Sequence, residues 1–448
     1  MIVYKNDLGK NMKIGIVGLG FVGLSLTSVL ASKGYNTVGI DIDKEKCGKI
    51  SNGNSPFFEP NLEKILRNGL KKKLTVSNDF SLIKDCDMVF VTVGTPQSKN
   101  GSIELTMIKK SVRTIGKILH ENKKNPIVII KSTVIPGTMQ KVILPILEKE
   151  SKKKAGKEFG LISNPEFLQE GTAIRDAEFP HVVVLGGYQT KYMEKTRTFF
   201  SKLHPNIPII ITNHQTAEMV KYANNSFLAT KISFINQLSN ICQNIPGSNI
   251  DDIAKTIGLD PRIGKLFLDA GPGYGGSCLP KDMKALINFA NSTGIKPTLL
   301  NAVEEINIKQ TDQILSILKQ KLGNISLKQI TILGMSFKPD TDDVRNSVAI
   351  ELIKKLLRRK ANITIHDPKA IRNTMKVFGN KINYAKSIRD ALHKSHCVII
   401  MTQWKEYERI SNKEIKNMAN KFVIDCRRML IHKKLDADYF AIGLGKEM

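Results

Sequence analysis

Aromatic residues make up only 6% of this 448-residue chain, with one tryptophan, and 41 acidic residues stand against 68 lysines and arginines. The net charge of +27 raises nucleic acid as a partner. Against it, the lysines are dispersed, with short clusters only at Lys71–Lys73 and Lys152–Lys154, and no nucleic-acid motif accompanies them. A solvated lysine-rich surface is the preferred reading, with some attraction of anionic substrates as a by-product. The six cysteines, at 47, 86, 242, 278, 397 and 426, form no C-x-x-C pair. That spacing suggests neither a metal site nor a disulfide framework, and reduced thiols fit a cytoplasmic setting. No hydrophobic run reaches the length of a membrane span, so no membrane association is expected. Residues 1–11 are polar rather than signal-like and read as a short tail.

What the chain does have begins at Met12. Met12-Lys-Ile-Gly-Ile-Val-Gly18 is a short buried-strand pattern running into Gly18-Leu-Gly20-Phe-Val-Gly23, then an apolar helical stretch through Leu24, Leu26, Val29 and Leu30. Strand, G-x-G-x-x-G and helix in that order form a dinucleotide-binding fingerprint. The first glycine makes the tight turn, the second admits the pyrophosphate, and the third lets the helix pack on the sheet. The helix N-terminal N–H groups then face the phosphates. A second strand, Asn36–Ile40, ends in Asp41, placed to hold the adenosine ribose hydroxyls. An acid there favours NAD over NADP, whose 2′-phosphate it would repel.

Further strand patterns lie at 87–93, 127–130, 159–162, 181–185 and 207–211, with helical sequence between most of them. This alternation predicts an α/β, doubly wound, mostly parallel sheet. Two strand ends, Gly94-Thr95-Pro96 and Lys131-Ser132-Thr133, fall where ligands collect. From Thr212 the pattern turns helical. Thr212-Asn-His-Gln215 resembles a capping box, and a long helix follows to about Asn240 with apolar positions at Val220, Phe227, Phe234, Leu238 and Ile241. Lys221 and Asn225, four apart, share one of its faces. Helical sequence follows at 251–257, and another helix is expected over 284–307. Strand patterns restart at 329–333, 362–366, 397–401 and 422–425, without the dinucleotide glycine spacing, so this second Rossmann-like unit is expected to take a different phosphate-bearing ligand. The organisation expected is a tail (1–11), an NAD-binding domain (12–212), a central helical region (213–325) and a second α/β domain (326–448).

The central region holds Gly271-Pro-Gly-Tyr-Gly-Gly-Ser-Cys278-Leu-Pro-Lys-Asp282. Small residues let backbone and ligand approach closely. A cation beside a thiol favours the thiolate and a nearby carboxylate can manage protons, as covalent catalysis by sulfur requires.

Five motifs occur in order: the Gly18/Gly20/Gly23 fingerprint, Ser163-Asn-Pro-Glu-Phe-Leu-Gln-Glu-Gly171, Lys221-x-x-x-Asn225, the Cys278 loop, and Phe337-Lys-Pro-Asp-Thr-Asp-Asp-Val-Arg345. Together they resemble the UDP-glucose/GDP-mannose dehydrogenase family from about Met12 to the C-terminus. The resemblance implies four-electron oxidation of a sugar C6 alcohol to a carboxylate with two NAD⁺, through a thiohemiacetal and a thioester on Cys278. It implies that Lys221 and Asn225 steady the developing oxyanion and that Asp282 orients water or moves protons. Glu166 is implied as base for thioester hydrolysis, with Thr133 holding the water. It implies cofactor contacts from Gly18, Gly20, Phe21, Val22, Gly23, Asp41, Lys46, Thr95, Thr133, Glu170 and Arg345. The implied substrate contacts are Glu166, Phe167, Leu168, Glu170, Lys221, Asn225, Gly271, Gly273, Tyr274, Gly275, Lys338 and Arg427. Arg262 matches an arginine that reaches a neighbouring subunit's sugar, which implies a homodimer or higher homo-oligomer.

UDP-glucose is the first choice of substrate, because Ser277 precedes the cysteine where members acting on N-acetylated UDP-hexosamines carry histidine. GDP-mannose and the UDP-N-acetylhexosamines are the alternatives. Two other classes stand beside this reading. A β-hydroxyacid dehydrogenase has no need of the Cys278 loop or of a second α/β domain. A nucleotide-sugar sensor without turnover has no need of Cys278, Lys221, Asn225 and Asp282 together.

Overall fold

A computed structural model of the chain describes residues 12–98, 100–188 and 190–445; the tail expected over 1–11 lies outside them. The chain divides into two compact units, the first ending at Ala223 and the second beginning at Asn224.

The first unit carries β1 (Lys13–Val17), β2 (Asn36–Ile40), β3 (Leu74–Ser77), β4 (Met88–Val91), β5 (Ile127–Ile130), β6 (Gly160–Ser163), β7 (Val183–Gly186) and β8 (Ile209–Thr212), in sheet order β3-β2-β1-β4-β5-β6-β7-β8. All neighbours are parallel except β6 and β7, which meet antiparallel at Ser163 and Gly186. Side chains on successive strand positions point to opposite faces, and the cores follow that period. Ile14, Ile16, Met88, Phe90, Ile127 and Ile129 pack with Leu24, Val29 and Leu30 of the helix Phe21–Ser32. The intervening Val17, Val89, Val91, Val128 and Ile130 pack with Ile108, Val112, Ile115 and Leu119 of the helix Thr106–Glu121. Each such side chain contributes about 1.5–3 kcal/mol on burial. The central strands β4 and β5, covered on both faces, have no solvent side and read as continuous apolar runs rather than alternating, whereas the edge strands β3 and β8 are partly exposed. The order reverses between β1 and β4, which opens a crevice at their carboxyl ends.

The second unit carries β9 (Gln329–Leu333), β10 (Asn362–His366), β11 (Asn383–Tyr384), β12 (Cys397–Ile400), β13 (Phe422–Asp425) and β14 (Asp438–Ala441), parallel throughout, in order β11-β10-β9-β12-β13-β14. Its switch point lies between β9 and β12. Among the described residues no helix is long and apolar enough to cross a membrane.

Four expectations change. The helix His214–Cys242 is capped by Asn213, whose Oδ1 accepts from Thr216 N at 2.8 Å. Thr212 is held in β8 opposite Gly186 and does not cap the helix. The single helix expected over 284–307 is two, Leu279–Ser292 and Thr298–Leu322. Between them Gly294 adopts φ 81° and Pro297 lacks an N–H, so the helix cannot run through. Phe227, Phe234 and Ile241, read as apolar positions of the long helix, are 65%, 50% and 51% exposed. Strands β3, β11 and β14 were not foreseen.

Candidate active site

The glycine turn after β1 is built as the fingerprint requires. Gly18 sits at φ 98°, and a Cβ on Gly23 would lie 1.8 Å from the Gly18 carbonyl oxygen and 2.6 Å from Thr92 Oγ1. Close packing therefore dictates both residues. A Cβ on Gly20 would meet no atom within 4 Å, so packing does not explain that glycine; open space over this backbone suits a pyrophosphate. At the end of β2, Asp41 Oδ2 accepts from Leu19 N at 2.8 Å and from Lys46 Nζ at 3.0 Å, and Oδ1 accepts from Asp43 N at 3.1 Å. A carboxylate offers about four acceptor positions, so capacity remains for a ribose hydroxyl. Phe21 packs on Phe57 with ring centroids 5.5 Å apart, and Val22 is half-buried. Thr95 Oγ1 donates to the Thr133 carbonyl at 2.8 Å and Ser132 Oγ to the Val93 carbonyl at 2.7 Å. These bonds join the ends of β4 and β5 and fix Thr133 at the carboxyl edge. The residues present fit NAD.

A charged cluster lies in the same unit. Glu166 Oε1 is 3.1 Å from Lys221 Nζ, both groups nearly enclosed, and Glu166 Oε2 accepts from Leu168 N at 2.6 Å. The Lys221 ammonium also stands 5.4 Å from the centre of the Phe167 ring, which packs edge-on against His181. Leu168 packs against the sheet core and Glu170 is buried. Lys131, at the end of β5, donates to Asn164 Oδ1 at 2.9 Å. Burial pushes its ammonium down to about 8, Glu166 pulls it up, and Lys221 pushes it down again.

In the second unit, Cys278 is the N-cap of the helix Leu279–Ser292 and is exposed, whereas the other five cysteines are buried. Burial pushes the Cys86 thiol up to about 12 and raises those of Cys47, Cys397 and Cys426 as well. Ser277 Oγ lies 3.5 Å from Cys278 Sγ. One turn into the helix, Asp282 is 1% exposed; its Oδ2 accepts from Asn225 Nδ2 at 2.6 Å and its Oδ1 from Lys281 Nζ at 2.5 Å. Cys278, Asp282 and Asn225 are thus brought together. Lys221, four residues before Asn225, belongs to the same continuous helix.

The glycine loop ahead of Cys278 lies against the second sheet. A Cβ on Gly271 would come within 2.5 Å of Arg427 Nη1, and one on Gly275 within 2.5 Å of the Asn346 carbonyl oxygen. Arg427 Nε donates to the Met401 carbonyl at 3.1 Å. A small cleft there is lined by Gly273, Ser336, Phe337, Thr402 and Arg427, among others, at the β9/β12 switch point. Tyr274 is buried and donates to Glu304 Oε2 at 3.2 Å. Lys338 Nζ lies 5.8 Å from the Phe337 ring. Arg345 pairs with Asp343 at 2.5 Å, and its carbonyl accepts from Gly276 N at 3.0 Å. Arg262, 87% exposed, pairs with Asp260 in its own turn at 2.6 Å. The structure therefore gathers Arg427 and the glycine loop, while Arg262 and Arg345 point their charges at carboxylates two residues away.

Three supporting residues were not singled out by the sequence. Glu59 accepts from Gly171 N and Ala173 N at 2.7 and 2.8 Å. Glu218, three residues before Lys221, accepts from Gly137 N and Met139 N at 2.6 and 2.7 Å, anchoring the loop after Thr133 to the long helix. Burial raises the Glu218 carboxyl to about 7. Arg428 binds Asp251, Asp269 and the Ala270 carbonyl. No local signal marks these residues, since their partners lie far away in the chain.

Three family models match consecutive stretches: the NAD binding domain (residues 12–204), the central domain (215–309) and the UDP binding domain (331–432) of the UDP-glucose/GDP-mannose dehydrogenase family. The chain is 37% identical over 426 residues to the UDP-glucose 6-dehydrogenase AglM of Haloferax volcanii, covering 94% of this chain and 98% of that protein. It superposes with TM-score 0.90 and 31% identity on a UDP-glucose dehydrogenase from Pyrobaculum islandicum, over 98% of this chain and 99% of that one. A UDP-D-ManNAc dehydrogenase from Pyrococcus horikoshii follows at TM-score 0.86 and 25% identity, over 96% and 99%. A cradle suited to NAD, an exposed cysteine beside a buried Asn–Asp pair and these matches along the whole length agree: the chain belongs to the UDP-glucose/GDP-mannose dehydrogenase family.

Proposed function

We propose that this protein oxidises the C6 hydroxyl of UDP-glucose to the carboxylate, giving UDP-glucuronate. The observation that carries the proposal is Cys278, an exposed thiol at a helix N-terminus one turn from the buried pair Asn225 and Asp282. The positive end of a helix favours negative charge on such a sulfur. NAD, when bound, supplies the hydride acceptor for both oxidations.

In the first oxidation Lys221 and Asn225 steady negative charge growing on the C6 oxygen. Cys278 Sγ then adds to the aldehyde carbon, and a second oxidation at that carbon leaves a thioester. Asp282 helps orient a water and move its protons. Glu166 takes a proton from the water, with Thr133 positioning it, and the C–S bond breaks to return the thiol and release the acid. One sugar, two NAD⁺ and one water give one carboxylate, two NADH and three protons. Phe167, Leu168, Glu170, Gly271–Gly275, Lys338 and Arg427 are assigned to the nucleotide sugar. Asp41, Lys46, Thr95, Glu170 and Arg345 are assigned to the cofactor, and the setting proposed is the cytoplasm.

UDP-glucose is preferred over other sugars because the 37% identical relative is named for it, and because Ser277 stands before Cys278. Phe227, Phe234 and Ile241 recur every seven residues and are half or more exposed, which supports a homodimer covering that stripe. Arg262 is assigned to the second copy's sugar. The test of substrate is kcat/KM for UDP-glucose, GDP-mannose, UDP-GlcNAc and UDP-ManNAc with the same preparation. At least a tenfold preference for UDP-glucose is expected; a preference for any other sugar overturns the assignment.

A further inference from the structure

We infer that the second unit holds a nucleoside phosphate of its own, in the cleft at the carboxyl ends of β10, β11 and β12, apart from the small cleft of Phe337 and Arg427.

The second unit repeats the nucleoside end of the first unit's crevice almost bond for bond. In the first, β2 and β4 flank β1, and β3 lies beside β2. Gly18 N donates to the Ile40 carbonyl at 2.8 Å, and Thr92 N to the Val17 carbonyl at 2.9 Å. Leu19 N donates to Asp41 Oδ2 at 2.8 Å and Asp43 N to Oδ1 at 3.1 Å. In the second, β10 and β12 flank β9, and β11 lies beside β10. Gly334 N donates to the His366 carbonyl at 2.9 Å, and Met401 N to the Leu333 carbonyl at 2.8 Å. Met335 N donates to Asp367 Oδ2 at 2.7 Å and Lys369 N to Oδ1 at 2.8 Å. Gly18 and Gly334 even share their backbone angle, φ 98° and 92°. Beside Asp41 this end of the crevice suits the adenosine of a dinucleotide. Beside Asp367 it is an open cleft of about 800 Å³, the size of a small-molecule site.

The differences decide what fits. Ser336 N, the counterpart of the Gly20 N–H that a pyrophosphate would meet, donates to Asp367 Oδ2 at 3.0 Å. Trp404 Nε1 joins the same oxygen at 3.2 Å, and Ala370 N donates to Oδ1 at 2.7 Å. The turn is thus committed to Asp367, whose own acceptor positions are filled. A dinucleotide has no pyrophosphate seat here, and a ribose needs another acceptor. Glu406 supplies one. Tyr407 donates its hydroxyl proton to the His366 carbonyl at 2.9 Å, so His366 Nδ1, 3.2 Å from that hydroxyl, must donate to it. Glu406 Oε1, 3.6 Å from the same nitrogen, is shielded from solvent yet accepts no hydrogen bond among the described residues. Shielded acceptors are nearly always partnered, and a ribose hydroxyl or base amine in the cleft completes this one. Tyr384 and Trp404 add aromatic lining for a base. The lining lysines, at 369, 386 and 405, are exposed and outnumber its two carboxylates, which favours a phosphate.

Trp404 is the only tryptophan of the chain, so its emission reports on this cleft in the unmodified full-length protein. NAD⁺ at saturation fills the cofactor crevice without turnover. Titration with ADP should then change Trp404 emission with half-saturation at or below about 1 mM. Inorganic phosphate should bind at least about tenfold more weakly, because it brings neither base nor ribose. The double variant Lys386→Glu/Lys405→Glu alters two exposed side chains outside the lining of the Phe337 cleft. It should weaken ADP at least about tenfold and leave NAD affinity unchanged. No change of emission with ADP, GDP or UDP overturns the inference. So does phosphate matching ADP, or an ADP affinity that the double variant leaves intact, which would seat the nucleotide elsewhere.

Discussion

Arg428 makes the most quantitative demand on the structure. Its side chain is 2% exposed, with Asp251 and Asp269 half-exposed opposite it. Nε donates to both oxygens of Asp251 at 2.8 Å, Nη2 to Asp269 Oδ1 at 3.1 Å and the Ala270 carbonyl at 2.9 Å, and Nη1 to the Ile442 carbonyl at 3.2 Å. It ties the helix Ile250–Ile257, the residues leading into the Gly271 loop and the segment after β14 to one point. In Arg428→Met the two carboxylates can rehydrate and cost little. The two carbonyls stay enclosed, at about 1–3 kcal/mol each. The sum, about 2–6 kcal/mol, brackets the loss of about 3–5 kcal/mol for a broken buried ion pair. For a unit of this size that lowers Tm by roughly 4–24 °C. Arg428→Lys keeps the charge but cannot span three directions, and should lose about half as much. Differential scanning calorimetry of the full chain reads both. A shift below about 2 °C for Arg428→Met would refute the reasoning, as would Lys behaving like Met.

Other consequences follow from single contacts. Gly23→Ala puts a methyl 1.8 Å from the Gly18 carbonyl oxygen, so the turn must deform, and NAD affinity by calorimetry should fall at least a hundredfold; near-normal affinity would contradict the packing role. Glu218, raised to about 7 from 4.5, holds a proton in the folded state that the unfolded chain releases. Its contribution is therefore greatest below pH 4.5 and is lost as pH rises through 7, so the stability gap between the parent protein and Glu218→Gln in urea should shrink by about 2–3 kcal/mol from pH 5 to pH 8. A gap constant with pH would count against it. Phe234→Glu, on the exposed stripe of the long helix, should turn a dimer into monomer in sedimentation; an unchanged assembly would remove that stripe from the interface.

The readable parts of this chain were those in which neighbours in sequence decide the structure. The strand-turn-helix from Lys13 to Ser32, the Asp41 carboxylate and the Cys278 loop each follow from local spacing. So do β9, β10 and β13, whose apolar β-branched runs leave little choice. The edge strand β3 escaped because Leu74-Thr-Val-Ser77 is short, partly exposed and follows three lysines. The break between the helices Leu279–Ser292 and Thr298–Leu322 was hidden by apolar spacing that continues across Gly294 and Pro297. The stripe of Phe227, Phe234 and Ile241 shows why spacing alone misleads: an exposed apolar face has the same period as a face turned to its own core. Glu59, Glu218 and Arg428 were invisible for a different reason. Each works through a partner far away in the sequence, which only the folded chain brings near.

The central claim is that Cys278 carries the sugar through two successive oxidations, and counting NADH per nucleotide sugar consumed tests it most directly. Two NADH and one uronate per sugar are predicted for the parent protein, and Cys278→Ser should bind UDP-glucose yet form no uronate. One NADH per sugar with an aldehyde as product, or undiminished uronate from Cys278→Ser, would contradict the covalent mechanism.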